Sequence, residues 1–162
     1  MEQKIIDYPN YTGLLSDTFS DLSRVIVPNG SKIYFNLETK NVTSCLVHFQ
    51  DTSLIFNNKA KNINFLYQPK STQEYTLKVK NSLSNFTDSI KYTIEIKDDQ
   101  YPAINVKELV DSNFVNYKFF LGEIMDDYGF EGLEFVYIKN GAKKVTQIPV
   151  SYQENNTRSA FS

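Results

Sequence analysis

Apolar and polar residues alternate with a period of two through the first 98 residues, and that period puts successive side chains on opposite faces of an extended strand. Ile33, Phe35 and Leu37 alternate with Lys32, Tyr34 and Asn36, while Cys45, Val47 and Phe49 alternate with Ser44, Leu46 and His48. The pattern continues in Ile63-Phe65-Tyr67, Tyr75-Leu77-Val79 and Ile90-Tyr92-Ile94-Ile96. Clusters of Asn, Ser, Lys and Pro bound these runs and suit turns. Before them, the run Leu22 to Val27 ends at Pro28-Asn29-Gly30. There a fixed proline φ and a residue pair tolerant of positive φ predict a tight turn into the Ile33 strand. Leu14 to Leu22 is the one stretch read as a short helical turn. Roughly seven strands in this length predict an immunoglobulin-like β-sandwich over residues 1–98.

Asp98-Asp99-Gln100-Tyr101-Pro102 breaks the alternation and reads as an acidic hinge. Beyond it, Ile104-Asn105-Val106, Tyr117 to Met125 and Leu133 to Ile138 read as strands, with a turn at Asp126-Asp127-Tyr128-Gly129. Asn140-Gly141 predicts a type I′ hairpin joining the third strand to Val145–Tyr152. The fold class expected is all-β, two tandem immunoglobulin-like β-sandwich units over 1–98 and 99–162. Four strands are few for a sandwich of about 100 residues, so the second unit is expected to lack its last strands and to expose a sheet edge. Pro149, read inside the last strand, is tolerated at such an edge. Ser159-Ala160-Phe161-Ser162 reads as a strand that stops as it starts, which predicts a segment cut from a longer protein.

Charge narrows the partners. The 17 basic and 19 acidic residues are interspersed with no Lys/Arg block, which argues against nucleic acid and against direct contact with an anionic membrane. No apolar run reaches the roughly 18 residues of a membrane span. A lone cysteine allows no intrachain disulfide, and a lone histidine allows no histidine cluster for zinc. Strand parity places Cys45 and His48 on opposite faces, so they form no dyad. Glu131 and Glu134 fall on a loop and an outward strand face, which implies no glycosidase pocket. The chain is therefore expected not to be an enzyme.

Two groups of residues remain as candidate sites. Asp98, Asp99, Asp126 and Asp127 are candidate oxygen ligands for Ca²⁺, which takes about six to eight of them. Their competing role is turn chemistry, each carboxylate bonding a nearby backbone N–H. Tyr34, Tyr101 and Tyr128 are candidate contact residues for a protein or a glycan, because tyrosine presents a large surface at low entropic cost.

In order along the chain, Asp7-Tyr8-Pro9-Asn10-Tyr11-Thr12-Gly13, Val27-Pro28-Asn29-Gly30-Ser31, Asp99-Gln100-Tyr101-Pro102 and Leu121-Gly122-Glu123-Ile124 running into Asp126-Asp127-Tyr128-Gly129-Phe130 resemble the periplasmic region of a Bacteroidetes membrane-protein family known as domain of unknown function 4175. The resemblance covers most of the chain. It implies a periplasmic location within an inner-membrane-anchored protein, and it implies no catalytic residue. The recurrence of Tyr-Pro at 8–9 and 101–102 also hints at two repeats of one module. The expected role is that of a spacer and protein-interaction module with an unidentified protein partner, an edge-strand dimer among the options. The alternative is a ligand-binding module, for Ca²⁺ at the hinge or for a glycan on the tyrosines.

Overall fold

The computed structural model describes residues 2–20, 24–57, 61–81, 87–110, 117–149 and 158–161. The chain is all-β and divides into two compact units, residues 1–98 and 99–162. Among the described residues no helix is long and apolar enough to cross a membrane.

The first unit contains strands β1 (Glu2–Asp7), β2 (Asp17–Phe19), β3 (Val25–Pro28), β4 (Lys32–Glu38), β5 (Val42–His48), β6 (Ser53–Asn57), β7 (Asn62–Tyr67), β8 (Gln73–Asn81) and β9 (Thr87–Lys97). They form a four-stranded sheet, β2-β1-β4-β7, and a five-stranded sheet, β3-β9-β8-β5-β6. The N-terminal segment serves both sheets. β1 pairs antiparallel with β4, and β3 pairs parallel with β9. Two sheets, antiparallel except for the β3–β9 pair, enclose one core and make a β-sandwich. The turn after β3 forms where Pro28-Asn29-Gly30 predicts it, with Gly30 at φ 92° and Ser31 N–H donating to the Pro28 carbonyl at 3.2 Å.

Alternation sets which side chains meet between the sheets. Ile33, Phe35 and Leu37 of β4 are buried, as are Cys45 and Val47 of β5, Phe49 just beyond it, and Tyr75 and Leu77 of β8. Phe35 stacks on Phe65 of the same sheet, with ring centroids 4.7 Å apart. Phe49, from the opposite sheet, stacks on Tyr67 at 3.6 Å and on Tyr75 at 5.2 Å. A slip of one residue in any of these strands would turn the rings to solvent, so the aromatic layer fixes the register.

Tyr67 also carries the buried polar network. Its hydroxyl donates to Asp51 Oδ1 at 2.7 Å and accepts from Gln73 Nε2 at 2.9 Å. Gln73 Oε1 accepts from the Gln50 N–H at 3.0 Å. Burial, reinforced by the bond to Asp51, pushes the Tyr67 phenol up to about 12.

Three strands escape the alternation analysis. β1 carries a lysine at a core position: Lys4 is buried opposite Phe19 and Phe35, with its ammonium 5.7 Å from the centroid of the Phe19 ring, a cation–π distance. Pairing with β1 makes Asp17–Phe19 extended, in place of the helical turn expected from Leu14 to Leu22; residues 21–23 lie outside the described residues. The helical turn sits earlier, at Asn10–Thr12, and ends at Gly13 in the left-handed conformation. β6 is the third. Its Leu54-Ile55-Phe56 run is continuously apolar, with Ile55 two-thirds exposed.

The second unit has β10 (Ala103–Leu109), β11 (Phe119–Met125), β12 (Leu133–Lys139), β13 (Ala142–Ile148) and β14 (Arg158–Phe161). β10, β11 and β14 form one antiparallel sheet, and β12 and β13 form a hairpin. Asn140 and Gly141 have φ of 52° and 76°, the two positive values a type I′ turn requires. The strand that Pro149 was expected to occupy ends at Ile148, so Pro149 withholds no donor from the ladder. Phe120 and Phe135 bring the two sheets together, with centroids 5.7 Å apart. Over residues 99–110 and 117–149 only Ile124 is buried.

Two outcomes test this account. Phe49→Ala should cost about 3–5 kcal/mol in urea unfolding, while Tyr101→Ala, at a side chain 97% exposed, should stay within about 0.5 kcal/mol. Equal losses would contradict an aromatic core centred on Phe49. The fold favours the neutral Tyr67 phenol, so that stabilisation is whole below its ordinary value of 10.0 and is lost as pH rises through about 12. Tyr67→Phe should lower stability at neutral pH by about 1–3 kcal/mol and should flatten the alkaline loss. Parallel stability–pH curves for the two proteins would contradict this.

Candidate functional site

The four aspartates fall into different units. Asp98 ends the first, where its Oδ1 accepts from Asn29 Nδ2 at 2.9 Å. Asp99, Asp126 and Asp127 belong to the second unit and lie close together. Desolvation, then the negative charges of Asp127 and Asp126 and a hydrogen bond to Asp127, push the Asp99 carboxyl above its usual range. The same carboxylates also serve the backbone. Asp126 Oδ2 accepts from the Tyr128 N–H at 3.2 Å, and Asp127 Oδ1 accepts from the Gln100 N–H at 3.4 Å. Gly129 takes φ 93° just after them. Among the described residues no group of three or more His, Cys, Asp or Glu is disposed to hold a metal ion.

Cys45 and His48 are set apart on opposite faces of β5. Cys45 is buried, and burial raises its thiol above the ordinary value. His48 is exposed on the other face of β5, its Nδ1 2.7 Å from Ser53 Oγ.

The three candidate tyrosines have different surroundings. Tyr101 is almost fully exposed, and Tyr128 is partly buried beside the Asp126 turn. Tyr34 lies on the outer face of the four-stranded sheet, between Ile5 of β1 and Leu66 of β7 in register, all three partly exposed. The neighbouring row on that face is Gln3, Asn36 and Asn64. Alternation identifies Tyr34 as outward-facing, but its partners come from strand pairing, which the sequence does not display.

The most exposed apolar strand is β12. Phe135 and Tyr137 are each 40% exposed, Val136 49% and Ile138 78%. Among the described residues β12 pairs only with β13. Lys139 and Ala142 close the two-residue loop, and the closing pair of such a hairpin is hydrogen-bonded. Pairs alternate from there, so Ile138/Lys143, Val136/Val145 and Glu134/Gln147 are the non-bonded ones. Glu134, Val136 and Ile138 therefore turn their N–H and C=O groups toward the free edge. Asn140-Gly141 is the sequence signal from which this orientation follows.

No protein-family model matches the chain, and no curated protein matches it. The Asp99–Asp127 contact gives a direct test of the acidic loop. Asp127→Asn should bring the Asp99 carboxyl down toward its ordinary range, read from the pH dependence of its side-chain NMR shift. An unchanged titration would contradict the coupling.

Proposed function

We propose that this chain is a non-enzymatic spacer and protein-interaction module, a periplasmic segment of an inner-membrane-anchored bacterial protein of the kind called domain of unknown function 4175. The observation that carries the interaction reading is β12: a seven-residue strand with one edge free among the described residues and four consecutive exposed apolar side chains, Phe135 to Ile138. An unguarded edge of this kind takes a further strand by main-chain hydrogen bonding, with side-chain alternation giving specificity. A non-enzymatic role is supported by the separation of buried Cys45 from surface His48. The periplasmic setting rests on the ordered motifs from Asp7-Tyr8-Pro9 to Tyr128-Gly129-Phe130.

A second reading, glycan binding, draws on the Tyr34 row. An aromatic ring flanked by Ile5 and Leu66, with amides of Gln3, Asn36 and Asn64 alongside, suits the apolar face and hydroxyls of a neutral sugar.

Photo-crosslinking side chains placed at Val136 and at Tyr34, in cells that make the full-length protein, separate the two. The interaction reading expects protein adducts at position 136 and none at 34. Polysaccharide adducts at 34 with none at 136 would overturn it in favour of the second.

A further inference from the structure

The free edge of β12 has a self-complementary geometry, and we propose that it pairs antiparallel with β12 of a second copy of this chain, about a two-fold axis at Val136. The proposal rests on the interaction reading above and names the partner for that edge.

Three residues, Glu134, Val136 and Ile138, direct backbone groups outward. An antiparallel, two-fold pairing that uses all of them must match Val136 with its own copy and Glu134 with Ile138 of the second copy. A shift of the axis by one residue in either direction leaves one of the three facing the turn or the loop. With the axis at Val136, Phe135 also stands opposite Tyr137 of the second copy, on the face that already packs against Phe120. Aromatic cross-strand pairs of this sort favour pairing. The strand ends carry opposite charges, Glu134 at one and Lys139 at the other, so antiparallel pairing sets each acidic end beside a basic one. Parallel pairing would align like with like.

The other strand edges fit less well. β13 carries Lys143 and Lys144 and is followed by Pro149, the residues that commonly protect an edge. β10 has Lys107 and Glu108 within it, and β2 and β3 are short. β6 and β7 are uncharged, but Leu54 and Phe56 of β6 already pack against the core and Ile63 and Tyr67 of β7 are buried, so a partner strand at either would cover little further inward apolar surface; β14 is only four residues long. At β12 the inward rings of Phe135 and Tyr137 are still 40% exposed. A two-stranded hairpin is marginal in water, and pairing would make it a four-stranded sheet, β13-β12-β12-β13.

Proline offers a backbone-specific test. At position 136 it removes an N–H that faces the free edge and breaks no bond to β13, and at position 145 it does the same for the opposite edge. Sedimentation equilibrium of the unaltered chain, of Val136→Pro and of Val145→Pro should give a concentration-dependent mass rising from 18.7 kDa to twice that for the unaltered chain and Val145→Pro. Val136→Pro should stay monomeric, with its far-ultraviolet circular dichroism unchanged. A monomeric unaltered chain, or a Val136→Pro chain that still dimerises, overturns the proposal. Should Val136→Pro lose its β signal, Val136→Lys takes its place under the same criteria. A monomeric chain that still gives adducts to a different protein at position 136 in cells would end self-pairing while leaving the interaction reading intact.

Discussion

The two sheets of the first unit are held face to face by rings. Phe49, from the five-stranded sheet, lies flat on Tyr67 of the four-stranded one, and Phe35, Phe65 and Tyr75 close around them. Each favourable ring pair adds about 0.5–1.5 kcal/mol to what area burial gives. The cluster also explains why the chain folds with one buried thiol and no disulfide. Tyr67 does double duty, since its hydroxyl ties the turn after β5 to the start of β8 through Asp51 and Gln73. Registers, turns and outer faces follow from keeping these rings inward.

The second unit obeys the same local rules and reaches a different balance. Its hairpin has the turn residues its geometry demands, yet β12 runs apolar through Phe135 to Ile138 and, over residues 99–110 and 117–149, only Ile124 is buried. With so few of its described residues buried, main-chain pairing weighs more in its stability. β12 carries one lysine, Lys139 at its turn end, and β13 two within the strand, Lys143 and Lys144, which makes the two hairpin edges chemically unlike. That asymmetry, combined with backbone orientation, is what selects one edge over the other.

Period-two alternation made β4, β5, β7 and β8 legible together with their inward residues, because one face of each is apolar, and β9 from Tyr92 onward; Ile90, read on the same face, is about half exposed. It failed at β1, where Lys4 takes a core position above the Phe19 ring, a contact that depends on a strand distant in sequence. It failed at β6, where outward Ile55 fills the polar half of the pattern. β2 is three residues long and exists through pairing with β1. The Asn140-Gly141 turn was legible down to its φ signs. Of the candidate sites, the sequence supplied the aspartates but not their division between Asp98 with Asn29 and Asp99 with Asp126 and Asp127. It supplied Tyr34 without its neighbours Ile5 and Leu66, since partners across a sheet are a property of topology.

Amide hydrogen exchange across the full chain, followed by NMR at several protein concentrations, addresses the central claim directly: a core-anchored first unit beside a second unit completed at the β12 edge. The slowest amides should lie in β4, β5 and β8 at every concentration. Those of Glu134, Val136 and Ile138 should exchange quickly in dilute solution and slow as concentration rises, while those of Lys143, Val145 and Gln147 stay fast. Protection at Val136 that is independent of concentration, or β12 as protected as β4 in dilute solution, would contradict the account.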